Sequence, residues 1–337
     1  MRTRPRSSLG VALAGLTLAA ASASGAPPAA DYPIRPVPFT AVSFEDAFWA
    51  PRLETNRKVT VRHNFAKCET TSRIRNFDVA SGAEKGAFEG LFGFNDSDVY
   101  KVIEGASYSL RLRPDPELDA YLDGVIAKIR TAQEPDGYLY TAGQVPTLAQ
   151  KPTCCVSRPR WSDIASGHEL YNLGHLYEAA AAHYQATGKR SLLDVALKSA
   201  DLLTREFRIG GRLDPPGHEE VEIGLVKLYR ATGEKKYLDQ ARFFLEQRGN
   251  AAGHKLYGAY NQDHVPVLEQ QEAVGHAVRA GYLYSGMADV GALTGDTAYA
   301  RALESLWGDV VGRKLYLTGG LGARRDGEAY GEAYELP

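Results

Sequence analysis

Tyr184-Gln-Ala-Thr187-Gly188, Tyr229-Arg-Ala-Thr232-Gly233 and Ala292-Leu-Thr294-Gly295 repeat one pattern along the chain. Each stretch closes a run whose apolar positions recur at three and four residues. Each is followed within a few residues by Leu or Tyr and then by an Ala-containing run of the same period. That pattern reads as one helical hairpin per copy. Gly188, Gly233 and Gly295 suit the left-handed position that ends a helix, and the next residues restart the chain in the opposite direction. Arg113-Pro-Asp-Pro-Glu117 reads as a fourth version, with Pro116 at the first position of its second helix.

Working outward from these turns, the spacing predicts helices from Asp98 to Leu112, Pro116 to Gln133, Glu169 to Thr187 and Ser191 to Phe207. Four more are predicted from Glu219 to Thr232, Lys236 to Gln247, Glu272 to Thr294 and Thr297 to Val311. Strand patterns are scarce. Repeated helical hairpins build either an open solenoid or a closed toroid. The Thr-Gly marks are 45 and then 62 residues apart, and the segments between them (136–166, 210–217 and 249–271) are long and rich in Gly, Pro, His and aromatics. Solenoids hold a tighter period, whereas barrels carry variable loops at one rim. The expected fold class is therefore all-α, an (α/α)6 toroid of six helical hairpins. Four hairpins are visible where that toroid needs six, and no polar terminal helix follows Tyr334-Glu-Leu-Pro337, so the toroid is expected to be incomplete at its C-terminal side.

The 337 residues are 44% hydrophobic, enough for a large core, and 39 Lys and Arg against 41 Asp and Glu give no basic surface for nucleic acid. Arg2, Arg4 and Arg6 precede an apolar run from Leu9 to Ala20 and the small residues Ala21, Ser22 and Ala23. Residues 1–23 therefore read as a signal peptide, 24–40 as a Pro/Ala-rich linker and 41–337 as the helical toroid domain, in a secreted or periplasmic protein with no membrane span. Cys68, Cys154 and Cys155 are too few, and odd in number, for a disulfide framework. Adjacent cysteines seldom bridge, so Cys154 and Cys155 are expected to be loop thiols.

Four histidines stand in Gly-rich or helix-start settings: His168, His175, His218 and His276. Any one alone reads as a structural histidine, but His168 and His218 both fall at helix entrances, where barrel loops converge on a ligand. His168 and His175 do not form a chelating pair, because seven residues of helix rise about 10.5 Å. No His-Glu-x-x-His or P-loop motif is present, and Gly319-Gly-Leu-Gly322 lacks the context of a dinucleotide fingerprint. In the Gly-rich tail Thr318 to Glu332, Glu328 reads either as a solvated loop acid or as a proton donor to a glycosidic oxygen. Phe48, Trp49, Tyr138, Tyr140 and Trp161 read as core aromatics or as platforms for sugar rings.

Six ordered blocks carry a wider likeness: Asn95-Asp-Ser-Asp-Val-Tyr100, Gln133-Glu-Pro-Asp-Gly-Tyr-Leu139, His168-Glu-Leu-Tyr-Asn172, Pro216-Gly-His-Glu-Glu220, Glu269-Gln-Gln-Glu-Ala-Val-Gly-His276-Ala-Val-Arg279, and Gly327-Glu-Ala-Tyr330 through Tyr334-Glu-Leu-Pro337. From about Phe44 to its last residue the chain resembles the beta-L-arabinofuranosidase family of glycoside hydrolases, family 127. The resemblance implies an (α/α)6 barrel that releases beta-L-arabinofuranose from non-reducing ends with retention, acting on an arabinose-containing oligosaccharide or glycoconjugate. It also implies a zinc-bound cysteine thiolate as nucleophile, Glu328 as general acid/base, and His168, His218 and His276 as sugar contacts.

The chain departs from that pattern where a Glu-Thr-Cys segment and a later cysteine pair are expected: it ends before them, so zinc is expected in the full-length family while its ligands are absent here. Cys154-Cys155 precedes the His168 block and does not inherit their role. On this reading the chain by itself is inactive or nearly so. A lyase or unsaturated-uronyl hydrolase on the same toroid is one alternative, and a non-catalytic sugar-binding remnant is another.

Overall fold

The computed structural model describes residues 31–336, so the expected signal peptide and the first part of the expected linker, residues 24–30, lie outside the described residues. Among the described residues the architecture is all-α, with isolated bridges and no strands. Helices α1 (Trp49–Thr55) and α2 (Val61–Thr70) are joined by a wide turn at Asn56–Thr60 and lead to α3 (Arg75–Ala80). Four hairpins follow: α4 (Asn95–Leu112) with α5 (Pro116–Ala132), then, after the short α6 (Thr141–Gln144), α7 (Glu169–Thr187) with α8 (Ser191–Glu206). The last two are α9 (Val221–Thr232) with α10 (Lys235–Gln247), and α11 (Ala277–Thr294) with α12 (Thr297–Asp309).

The predicted turns close as read. Gly188, Gly233 and Gly295 take φ of 75°, 76° and 71°. The preceding threonine completes each turn: Thr187, Thr232 and Thr294 donate Oγ1–H to the carbonyls of His183, Leu228 and Val290, and accept from the amides of Lys189, Glu234 and Asp296. At the fourth turn Asp115 caps α5 by accepting from the Leu118 amide at 3.1 Å, with Pro116 next in line.

Helices α4, α7, α9 and α11 pack side by side as an inner layer, and α5, α8, α10 and α12 cover them. The division follows from composition. Helix α7 carries Ala179 to Ala182 and is buried on nearly every side, whereas α8 and α10 bury one stripe and leave charges outside. The α7–α9 crossing is close because Gly174 meets Gly224: a Cβ on Gly224 would stand 2.6 Å from the Gly174 carbonyl.

Connections from inner to outer helices are the short turns, and connections from outer back to inner helices are the long loops. All long loops therefore meet the N-terminal ends of α7, α9 and α11 at one rim. One boundary departs from expectation there. Residues 272–276 do not join α11, because Gly275 takes φ of 70° and its Cα lies against the Tyr260 backbone, where a Cβ would meet the Ala259 carbonyl at 2.1 Å. His276 is thereby moved from the second turn of a helix to the cap of α11.

The adjacent cysteines also depart from expectation. Cys154 and Cys155 are joined by a disulfide, S–S 2.01 Å, and are not loop thiols. The loop supplies what a regular element would not: Cys155 adopts a positive φ of 78°, and Thr153 and Phe92 hold the segment against residues 88–93.

Candidate active site

His168 and His276 cap α7 and α11, and His218 sits three residues before α9, so the loop-to-helix junctions of the inner layer bring all three together. Ring centroids of His168 and His218 are 5.3 Å apart, and those of His218 and His276 are 5.7 Å apart. Tyr171, in the first turn of α7, has its ring 4.5 Å from that of His218, while Tyr282 of α11 lies 5.8 Å from it and Tyr260 faces His276.

The hydrogen bonds fix the tautomers. His168 Nδ1 lies 3.0 Å from the Ser166 carbonyl and His218 Nδ1 lies 2.8 Å from the Glu219 carbonyl. A carbonyl only accepts, so both Nδ1 atoms carry hydrogen and both Nε2 atoms are left as acceptors. His276 is the reverse: its Nδ1 accepts from the Arg279 amide, so Nε2 carries hydrogen and donates to Glu328 Oε2 at 2.9 Å. Burial keeps all three rings neutral. It pulls His168 down to about 4, with Arg279 adding to the effect, takes His218 well below the ordinary imidazole range, and lowers His276 in the same sense.

Glu328 reaches this group from the Gly-rich tail. Tyr330 donates its amide to the Gly275 carbonyl, and Arg324 donates to the Ala329 carbonyl, so the tail folds over the loop that carries His276. Gly327 and Glu328 take φ of 74° and 49°, a left-handed pair that turns the acid toward His276 while its side chain stays 78% exposed. The structure thus unites the four residues singled out in the sequence. Tyr138, Tyr140 and Trp161 are buried core instead, and Phe48 and Trp49 pack on each other at the start of α1.

Sequence reading missed the layer beneath. His175, Glu178 and Glu220 offer ligand atoms within 4.8 Å of one another, and Asp119, Asp123 and His183 form a second such group, so candidate metal-binding clusters exist among the described residues. Glu220 comes from another hairpin, so no local spacing announces the first cluster. Lys227 already pairs with Glu178 there. Zinc on thiolates is another matter. Cys68 is buried in the core with its thiol pushed up to about 11 by desolvation, and Cys154 and Cys155 are spent on each other. The residues present do not fit a zinc–thiolate centre.

Two neutral histidine acceptors, a carboxylate held by a third histidine and a rim of loops thus meet on an all-α scaffold of the six-hairpin (α/α) toroid class. Residues 41–337 match the model of the GH127 catalytic domain of beta-L-arabinofuranosidases, and the chain belongs to that family. It is 39% identical over 284 residues to a non-reducing end beta-L-arabinofuranosidase of Bifidobacterium longum, covering 78% of this chain and 42% of that protein. Among solved structures it is similar to the GH127 beta-arabinofuranosidase BT3674, with TM-score 0.85, 51% identity, and coverage of 91% of this chain and 48% of that one. It is also similar to a GH127 beta-L-arabinofuranosidase from Geobacillus stearothermophilus T6, with TM-score 0.81, 36% identity, and coverage of 88% and 49%. The chain spans less than half the length of each of these relatives.

Proposed function

We propose that this chain forms the sugar-binding and proton-transferring part of a retaining hydrolase acting on terminal beta-L-arabinofuranosides. The observation that carries this reading is the opposed tautomers of the histidines. His168 and His218 present Nε2 acceptors to sugar hydroxyls, while His276 spends its Nε2–H on Glu328 and so aims that carboxyl at the same space. Glu328 serves as acid/base, giving a proton to the leaving oxygen and recovering one from water. Retention and the arabinofuranoside substrate are supported by family membership.

Without a thiolate at the site, the 337-residue chain is expected to bind sugar with little turnover, since general acid assistance alone contributes only about 10² to 10⁴ in rate. Export to a periplasmic or extracellular space is part of the proposal. It is supported by the basic and apolar N-terminal run and by a disulfide, which suits an oxidising compartment.

Calorimetric titration of the purified chain with L-arabinose tests the reading. Saturable binding that His218→Ala weakens at least tenfold, with glucose not competing, is the expected result. Equal response to arabinose and glucose, or His218→Ala binding as well as the parent, would sink it.

A further inference from the structure

The Cys154–Cys155 disulfide lies in the long connection before α7, and the chemistry proposed above makes no use of it. Its surroundings point to a task. The Cys155 carbonyl accepts two hydrogen bonds, from the His168 amide at 3.2 Å and from the Tyr140 hydroxyl at 2.8 Å. Gly93 lies flush against the same carbonyl, so that a Cβ there would stand 2.2 Å from its oxygen. The Gly93 amide donates to the Cys154 carbonyl, and Phe94, the next residue, rests its ring 5.2 Å from that of His168. The backbone of His168 is thus seated on the loop that the disulfide closes, and its imidazole on Phe94 of the neighbouring segment that Gly93 ties to that loop.

We infer that the Cys154–Cys155 disulfide is a positioning element for His168, and that its reduction loosens the sugar site. The inference rests on the sugar-contacting role proposed for His168. Cys155 holds a positive φ of 78°, which residues with a side chain rarely adopt, and the small ring made by two bonded neighbours retains it there. Opening the ring frees Cys155 to return to negative φ. That rotation swings its carbonyl away from the His168 amide and the Tyr140 hydroxyl.

The chemistry balances as ordinary exchange. A dithiol reductant such as dithiothreitol gives two electrons and two protons, the S–S bond breaks to two cysteine thiols, and the reductant leaves as its own cyclic disulfide. Cys154 is exposed and Cys155 half-buried, so a small reductant reaches the bond, while Cys68 is buried and takes no part.

The test uses the full chain, oxidised and after dithiothreitol, with alkylation and mass spectrometry counting the thiols. On reduction, arabinose affinity is expected to weaken roughly tenfold, the order set by losing one well-placed hydrogen-bond partner. It should recover on reoxidation, while far-UV circular dichroism stays unchanged. The double variant Cys154→Ser/Cys155→Ser should bind at the reduced level and no longer respond to reductant. Hydrogen exchange at the His168 amide gives a reading that needs no sugar, and it should quicken when the pair is reduced. An amide that exchanges at the same rate in both states overturns the inference even if the chain binds no arabinose. So does unchanged affinity in a chain shown to be reduced, or a chain isolated under oxidising conditions with all three thiols free.

Discussion

His168 shows how one residue links stability to function. Its imidazole stays neutral because burial and Arg279 hold its pKa near 4, against about 6.5 in an unfolded chain. A group with a depressed folded pKa stabilises the fold fully above its unfolded value and loses that contribution as pH falls toward the folded one. Between pH 7 and pH 4 the unfolded chain therefore gains a proton that the folded chain refuses, an effect on the order of 3 kcal/mol from this residue. Melting temperature is expected to fall across that window, and His168→Asn should flatten the slope; a variant as acid-sensitive as the parent would contradict the assignment. Glu328 offers a second residue-scale prediction. Glu328→Gln keeps an oxygen to accept from His276 Nε2–H at 2.9 Å but cannot transfer a proton. Arabinose affinity should change less than threefold, while any residual hydrolysis of an activated arabinofuranoside falls by about 10² or more. His168, His218, His276 and Glu328 were legible in the sequence through their motifs. Their tautomers were not, because those depend on carbonyls that only the folded loops bring near.

At the scale of the hairpin, the Thr-Gly pair explains why the repeat could be read at all. Glycine takes the left-handed cap, and threonine ties the last turn to the first residues beyond it, so both identities are imposed by local geometry. Gly233→Ala is expected to cost about 1 kcal/mol in chemical denaturation, since the cavity around it is open and only its φ of 76° resists a side chain. Gly224→Ala should cost more, about 2 to 3 kcal/mol, because its Cβ would drive α9 from α7. Equal penalties for the two would show that the crossing yields more easily than its geometry says. The eight hairpin helices were legible to within a few residues, whereas the short α6 lay in a segment read as loop. α2 was missed: Val61, Phe65 and Cys68 form only a thin buried stripe in a polar run. The early start predicted for α11 failed at Gly275, where contact with the distant Tyr260 backbone decides.

Across the whole molecule the rim loops are tied into one body by a buried arginine that no motif flags. Arg248, at the end of α10, donates to the Asn261 carbonyl at 2.7 Å and the Pro216 carbonyl at 2.6 Å, and faces Glu219 at 3.0 Å. Asn261 in turn donates to the carbonyls of Ala165 and Gly217, and Arg279 donates to Gly217 as well. Three long loops far apart in sequence thus share one set of hydrogen bonds directly beside His168, His218 and His276. Such a network is invisible to periodicity, because its partners are backbone carbonyls whose residue identity is free. Its consequence is that the site and the fold should melt together. Arg248→Ala removes both guanidinium–carbonyl bonds, each a charge-assisted hydrogen bond in the buried interior, a loss of about 3 to 5 kcal/mol; Glu219, whose carboxyl burial pushes up to about 8, is left protonated at neutral pH. Arg248→Lys restores the charge but not the planar fork that reaches two carbonyls at once, and should recover less than half of that. Denaturation followed by circular dichroism and by arabinose binding should give one coincident transition in the parent. If binding were lost well before the helices in the parent protein, the loops would be an independent unit, and the hub assigned to Arg248 would be wrong.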